Sequence, residues 1–120
     1  MKHLTSKEEE VLERIWQLGE CAPKDVVATY PSPQPHVNTI ASVFQSLERK
    51  RVLTHKAVGR GYIYSATISK EEYGKGVLRL FADRFFGNSY MKIISSLVAE
   101  EKVSRSELIE FIDKLKEGDK

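Results

Sequence analysis

Asn38, Thr39, Ser42, Gln45, Ser46 and Arg49 share a stretch with Ile40, Val43, Phe44 and Leu47. The four apolar residues fall at i, i+3, i+4 and i+7, the spacing of one stripe on an amphipathic helix. The six polar residues then take the opposite face. A solvated helix face is ordinarily richer in Glu and Lys. This one carries short amides and hydroxyls with a single cation near its end. Such groups can bond base edges and phosphates, and an arginine adds charge. The same pattern also suits a plain amphipathic helix with a weakly polar back, and the helix alone does not decide between the two.

Other chemistry is sparse. His3, His36 and His55 are widely separated, and no His/Cys/Asp/Glu cluster has zinc-ligand spacing. Gly59-Arg60-Gly61 is a pair of turn glycines rather than a phosphate loop, since no helix opening on Lys-Ser/Thr follows it. Glu8, Glu9 and Glu10 fit the first turn of a helix, where carboxylates complement the backbone dipole. Nothing pairs a nucleophile with a base, so neither enzymatic activity nor a metal or other cofactor is expected. The single cysteine, Cys21, rules out an internal disulfide and suits a reducing cytosol, as a buried or edge residue.

With 120 residues, the chain is long enough for one domain or two very small ones. Charges interrupt every apolar run before it could span a membrane, and no signal peptide is recognisable, so a cytoplasmic protein is expected. The net charge of +2 hides an uneven distribution. Residues 1–35 carry a net −2, residues 36–69 a net +4 (Arg49, Lys50, Arg51, Lys56 and Arg60 against Glu48), and residues 70–120 balance. The positive charge therefore lies in the window that holds the polar helix, as expected of a nucleic-acid binder.

The elements that would position this helix can be read in order. Thr5-Ser6-Lys7-Glu8 is a capping box opening a helix with Val11, Leu12, Ile15 and Trp16 inward, ended by Gly19. Pro23 opens a short helix to about Tyr30. Pro31-Ser32-Pro33-Gln34-Pro35 cannot continue it and forms a stiff turn into the polar helix, His36 to Lys50. Arg51–Ala57 and Tyr62–Ile68 then read as strands of a hairpin about Val58-Gly59-Arg60-Gly61. Three helices followed by a hairpin with an arginine at its tip is the order of a winged helix-turn-helix. In that arrangement the third helix enters the major groove and the hairpin meets the backbone. Asn38, Thr39, Ala41, Ser42, Gln45, Ser46, Arg49, Lys50, Lys56 and Arg60 are the expected DNA contacts. Ser69-Lys70-Glu71-Glu72, Ser89 and Ser104-Arg105-Ser106-Glu107 open three more helices, the last ended by Gly118 with the final two residues fraying. Leu80, Phe81, Phe85, Ile94, Leu97, Leu108, Phe111, Ile112 and Leu115 are the expected shared core of a dimer, because so small a helical unit rarely has a sufficient core alone. The other arrangement these stripes allow is a monomer whose three helices fold back onto residues 1–69.

The expected fold is thus mainly α with a small β-hairpin wing: a winged-helix DNA-binding domain over residues 1–69 and a three-helix dimerisation domain over residues 70–120. Two other readings use the same basic patch, a winged-helix protein–protein interaction module and a non-specific DNA-coating protein. A face of Asn, Thr, Ser and Gln suits base edges better than bare phosphate attraction, which disfavours coating.

Leu4-Thr5-Ser6-Lys7-Glu8, Asn38-Thr39-Ile40-Ala41-Ser42, Leu47-Glu48-Arg49-Lys50 and Gly59-Arg60-Gly61-Tyr62-Ile63-Tyr64 together resemble the penicillinase-repressor family of winged-helix transcriptional repressors. The resemblance continues through Phe85-Phe86-Gly87-Asn88-Ser89 and Val103-Ser104 and covers essentially the whole chain. It implies a homodimeric repressor of dyad operators on double-stranded DNA. In the antibiotic-sensing branch, a membrane-bound sensor metalloprotease signals and the repressor is cut within its dimerisation domain at Asn-Phe; the aligned pair here is Ser96-Leu97. The copper-sensing branch uses a cysteine-rich tail that has no counterpart here, so copper sensing is not expected. Some family members carry Arg or Lys where this chain has Ala41 and Ser46.

Overall fold

In the computed structural model, residues 3–118 are described, and the expected fraying of the last two residues lies outside them. The elements run α1 (Ser6–Leu18), α2 (Pro23–Val27), α3 (Val37–Arg49), β1 (Leu53–Val58), β2 (Gly61–Ala66), α4 (Lys70–Phe86), α5 (Tyr90–Ala99) and α6 (Arg105–Gly118). The fold is the expected one, mostly helical with one antiparallel hairpin. Compact packing divides the chain into Met1–Gly76 and Val77–Lys120, with the division inside α4.

The first unit forms around the predicted stripes. Leu4, Val11, Leu12 and Ile15 meet Val26, the α3 residues Ile40, Phe44 and Leu47, and Val52 and Leu53 in one buried cluster. The capping box at α1 is complete: Glu8 N–H donates to Thr5 Oγ1 at 3.1 Å and Thr5 N–H to Glu8 Oε1 at 2.7 Å. Trp16, expected in the core, packs half-buried against it and donates its indole N–H to the Ile68 carbonyl at 2.9 Å. Tyr73 joins the same cluster from the start of α4 and donates its hydroxyl to Glu9. This contact keeps the first turns of α4 with the first unit.

Local outcomes differ from the sequence expectation at the end of α2 and at both ends of each strand, β1 running on to Val58 and β2 starting at Gly61. Helix α2 stops at Val27, short of Tyr30. Its backbone continues as a turn in which Thr29 Oγ1 donates to the Val26 carbonyl and Tyr30 N–H to the Val27 carbonyl. The first strand begins at Leu53 rather than Arg51, because Arg51 adopts a left-handed φ of 66° and closes α3. Val52 N–H then returns to the Leu47 carbonyl at 3.2 Å, as in a Schellman motif. The second strand ends at Ala66, and Thr67 bonds back to Val52 and Arg51. In the hairpin Val58 pairs with Gly61 across the two-residue turn Gly59-Arg60, and Gly59, at φ 60°, supplies the positive torsion such turns need. Cys21 adds a one-residue bridge to the free edge of β2, exchanging both backbone hydrogen bonds with Tyr64 at 2.9 and 2.7 Å.

The second unit contains the remainder of α4, with α5 and α6. Ser104 and Glu107 form the expected capping box, at 3.1 and 3.0 Å. At α4 the box is only half made: Ser69 Oγ accepts from Glu72 N–H at 3.0 Å, but its hydroxyl, not its backbone N–H, meets the Glu72 carboxylate. Ser89 caps α5 by accepting from Lys92 N–H at 3.2 Å. Among the described residues of this unit, Ala82 is the one fully buried apolar side chain.

Candidate nucleic-acid interface

Helix α3 is held from beneath by Ile40, Phe44 and Leu47, all fully buried. Phe44 also meets the Tyr64 ring edge-on at 5.0 Å, fixing α3 against β2. With the buried stripe fixed, Asn38, Ser42, Gln45 and Arg49 stand exposed on the opposite side, at i, i+4, i+7 and i+11. They form a continuous ridge along the helix. Thr39 is exposed on one flank, with Ala41 half-buried on the other. Ser42 Oγ donates to the Asn38 carbonyl at 3.1 Å, which leaves its oxygen lone pairs outward. The sequence gives no carboxylate to this ridge.

The start of the helix has an unexpected cap. His36 Nδ1 accepts from Asn38 N–H at 3.0 Å, taking the place usually held by Ser, Thr, Asn or Asp. Val37, not among the expected contacts, is 40% exposed beside it.

Two of the expected contacts are turned inward. Ser46 donates its hydroxyl to Glu8 Oε2, and Lys50 donates to Glu8 Oε1 at 2.6 Å and to the His3 carbonyl at 3.0 Å. Both sit on the flank of α3 that faces α1, off the outer ridge. Helical spacing puts Ser46 on the Thr39 flank, and only the position of α1 makes its end of that flank an inner one. Glu8 itself is buried. Burial pushes its carboxyl up, but Lys50, Ser46 and the Thr5 backbone outweigh this and hold it at about 2. Lys56 is also engaged, with Glu20 at 3.1 Å, in an exposed pair. His55 Nδ1 lies 2.6 Å from Glu48 Oε2, and its ring packs against Tyr62 and Tyr64, joining the end of α3 to the hairpin.

These pairings concentrate the basic patch. Among the described residues, Arg49, Arg51 and Arg60 have no carboxylate within ion-pair distance. Arg49 ends the ridge, Arg51 follows it, and Arg60 occupies the exposed hairpin tip. Arg51 belongs to the basic window but is not among the expected contacts. Among the described residues no group of three or more His, Cys, Asp or Glu is placed to hold a metal ion, and no helix is long and apolar enough to cross a membrane.

The expected dimer residues are mostly at the surface of the chain. Leu80, Phe81, Phe85, Leu97, Phe111, Ile112 and Leu115 are exposed, Phe85 to 64%, while Ile94 and Leu108 are half-buried. Val77, Leu78, Tyr90, Met91 and Ile109 extend the exposed apolar set beyond the expected residues. Ser96 and Leu97 lie in the second half of α5, Ser96 half-buried and Leu97 exposed.

A three-helix unit whose last helix presents a polar ridge, followed by a hairpin wing, defines the winged helix-turn-helix class. The family model described as penicillinase repressor matches residues 4–117, and the chain belongs to that family of transcriptional repressors. A comparison with curated proteins gives no match.

Proposed function

We propose that the protein is a homodimeric, sequence-specific repressor that binds a dyad operator on double-stranded DNA through α3 and the wing. The observation that carries this reading is the exposed Asn38–Ser42–Gln45–Arg49 ridge. Its amides and hydroxyl match base-edge donors and acceptors, and no carboxylate lies along it to repel phosphate. Asn38, Thr39 and Ser42 take the base-reading role at the start of the helix. Arg49, Arg51 and Arg60 neutralise phosphate at its end and at the wing tip. The exposed apolar faces of α4, α5 and α6 supply the second half of the argument, since a unit this thinly buried gains its core from a second copy. Membership in a repressor family supports both parts.

Release from the operator follows from the same design. Joining two half-site contacts through one dimer makes the pair far tighter than either alone. A cut at Ser96-Leu97 would detach α6, with Leu108, Phe111, Ile112 and Leu115, and leave a monomeric DNA-binding half. A sensor metalloprotease system is the proposed source of the cut. The test of binding is a gel shift with unlabelled competitors. Specific competition supports an operator reader. A shift erased equally by any duplex indicates coating, and no shift indicates a protein-docking module. The test of release is mass spectrometry of protein recovered from induced cells, where full-length chain throughout derepression refutes cleavage.

A further inference from the structure

The Glu8 cluster links two elements that the apolar core alone would orient only loosely. Hydrophobic burial is non-directional, so Ile40, Phe44 and Leu47 against Val11, Leu12 and Ile15 set which face of α3 points inward but tolerate small changes in its roll and tilt. Hydrogen bonds to a charged group are directional and short. Three donors converge on Glu8: Thr5 N–H at 2.7 Å, Lys50 Nζ at 2.6 Å and Ser46 Oγ. The Thr5 bond fixes the carboxylate at the first turn of α1. Ser46 and Lys50, at i and i+4, present the final turn of α3 to it. Lys50 reaches on to the His3 carbonyl at 3.0 Å, so the chain entering α1 is tied in as well. A roll or tilt of α3 would break these bonds before it emptied the core.

We infer that Glu8 is the positioning residue of the reading helix: through Ser46 and Lys50 it fixes the angle at which the Asn38–Ser42–Gln45–Arg49 ridge meets DNA. The inference rests on the DNA-reading role proposed above. It assigns Lys50 to holding α3 rather than to phosphate contact, and the two roles have opposite signatures in salt. A lost phosphate contact lowers the slope of log K against log salt by about 0.9 and weakens all duplexes alike. A lost positioning contact leaves that slope unchanged and reduces the preference for the right sequence.

The experiment measures binding of the full chain to a selected operator and to an unrelated duplex of equal length, by fluorescence anisotropy across a salt series. The variants are Glu8→Gln, Lys50→Met and Lys50→Arg, with Arg49→Ala as the phosphate-contact control. The expected result is a fall of roughly tenfold or more in the operator-to-unrelated ratio for Glu8→Gln and Lys50→Met, the size of one lost base contact. The salt slope of Lys50→Met stays that of wild type, the Arg49→Ala slope becomes shallower, and Lys50→Arg regains most of the ratio. Lys50→Met with an intact ratio and a shallower slope would overturn the inference, as would an intact ratio with only a lowered melting temperature. Should Glu8→Gln fail to fold, Ser46→Ala and Lys50→Met leave the Thr5–Glu8 cap in place and decide the matter. A wild-type chain that prefers no sequence sinks the DNA reading itself, a separate outcome from wild-type preference that survives in the Lys50 variants.

Discussion

Glu8 shows how one residue can carry two kinds of information, of which the sequence displays only one. Its place in Thr5-Ser6-Lys7-Glu8 identifies a capping box, and the box is there. Its bonds to Ser46 and Lys50 span about forty residues and depend on how α1 and α3 cross, which no local pattern records. The same holds for Lys56 with Glu20 and for His55 with Glu48. The acid limb of stability should report Glu8 directly. Its carboxyl sits at about 2 in the folded chain against an ordinary 4.5, so the unfolded chain binds the proton more readily. The stability it contributes is present above about pH 4.5 and lost as pH falls toward 2, on the order of 3 kcal/mol in all. Acid unfolding followed by Trp16 fluorescence should therefore lose steepness in Glu8→Gln, and parallel curves for the two proteins would contradict the assignment. Cys21 makes a second residue-scale prediction. Burial, with Asp25 adding to it, pushes its thiol up to about 11. Alkylation of the folded protein at neutral pH should run roughly a hundredfold or more slower than that of a free thiol, and recover on unfolding.

The elements were legible where their ends are marked by side-chain chemistry. Thr5, Pro23, Ser89 and Ser104 each open the helix expected of them, and Gly19 and Gly87 close theirs in the left-handed region. They were illegible where the chain uses a residue that gives no warning. Arg51 and Glu101 end α3 and α5 at φ 66° and 61°, positions that Gly ordinarily takes. His36 caps α3 although histidine is not a usual cap, and the bridge from Cys21 to Tyr64 is too short to leave a strand pattern. Left-handed backbone costs a non-glycine residue about 1–2 kcal/mol, partly offset by the greater freedom glycine has when unfolded. Glu101→Gly should accordingly stabilise the protein by ~0.5–1 kcal/mol in urea unfolding, and a loss of stability would mean that the Glu101 side chain contributes something its exposure conceals. At the wing, Arg60 stands at a hairpin tip with no carboxylate beside it among the described residues. Arg60→Ala should weaken all duplexes similarly and flatten the salt dependence by roughly one counterion. A change in base preference with the slope intact would make the wing a reader of bases instead.

At the scale of the molecule, the two units have opposite burial. The first encloses a core of aliphatic residues and Phe44, while the second leaves Phe81, Phe85, Phe111 and Leu115 at its surface. The apolar periodicity of α4, α5 and α6 marks which residues line their stripes, but periodicity alone cannot tell a stripe that faces its own chain from one that faces another. An Asp at Leu97 or Phe111 would place an unpaired charge in the proposed interface, at a cost of about 3–5 kcal/mol. Such variants should sediment as monomers and lose operator affinity steeply, whereas a wild-type chain that is monomeric at micromolar concentration would remove the basis for dimeric binding. The central claim is that a two-fold protein reads two-fold DNA through α3. Selection of bound duplexes from a random pool tests it most directly. The account requires enrichment of an inverted repeat whose half-sites lie about 10 base pairs apart, or a multiple of that, the spacing at which two reading helices meet the same face of the duplex. Enrichment of a single asymmetric site, or of no sequence at all, would contradict it.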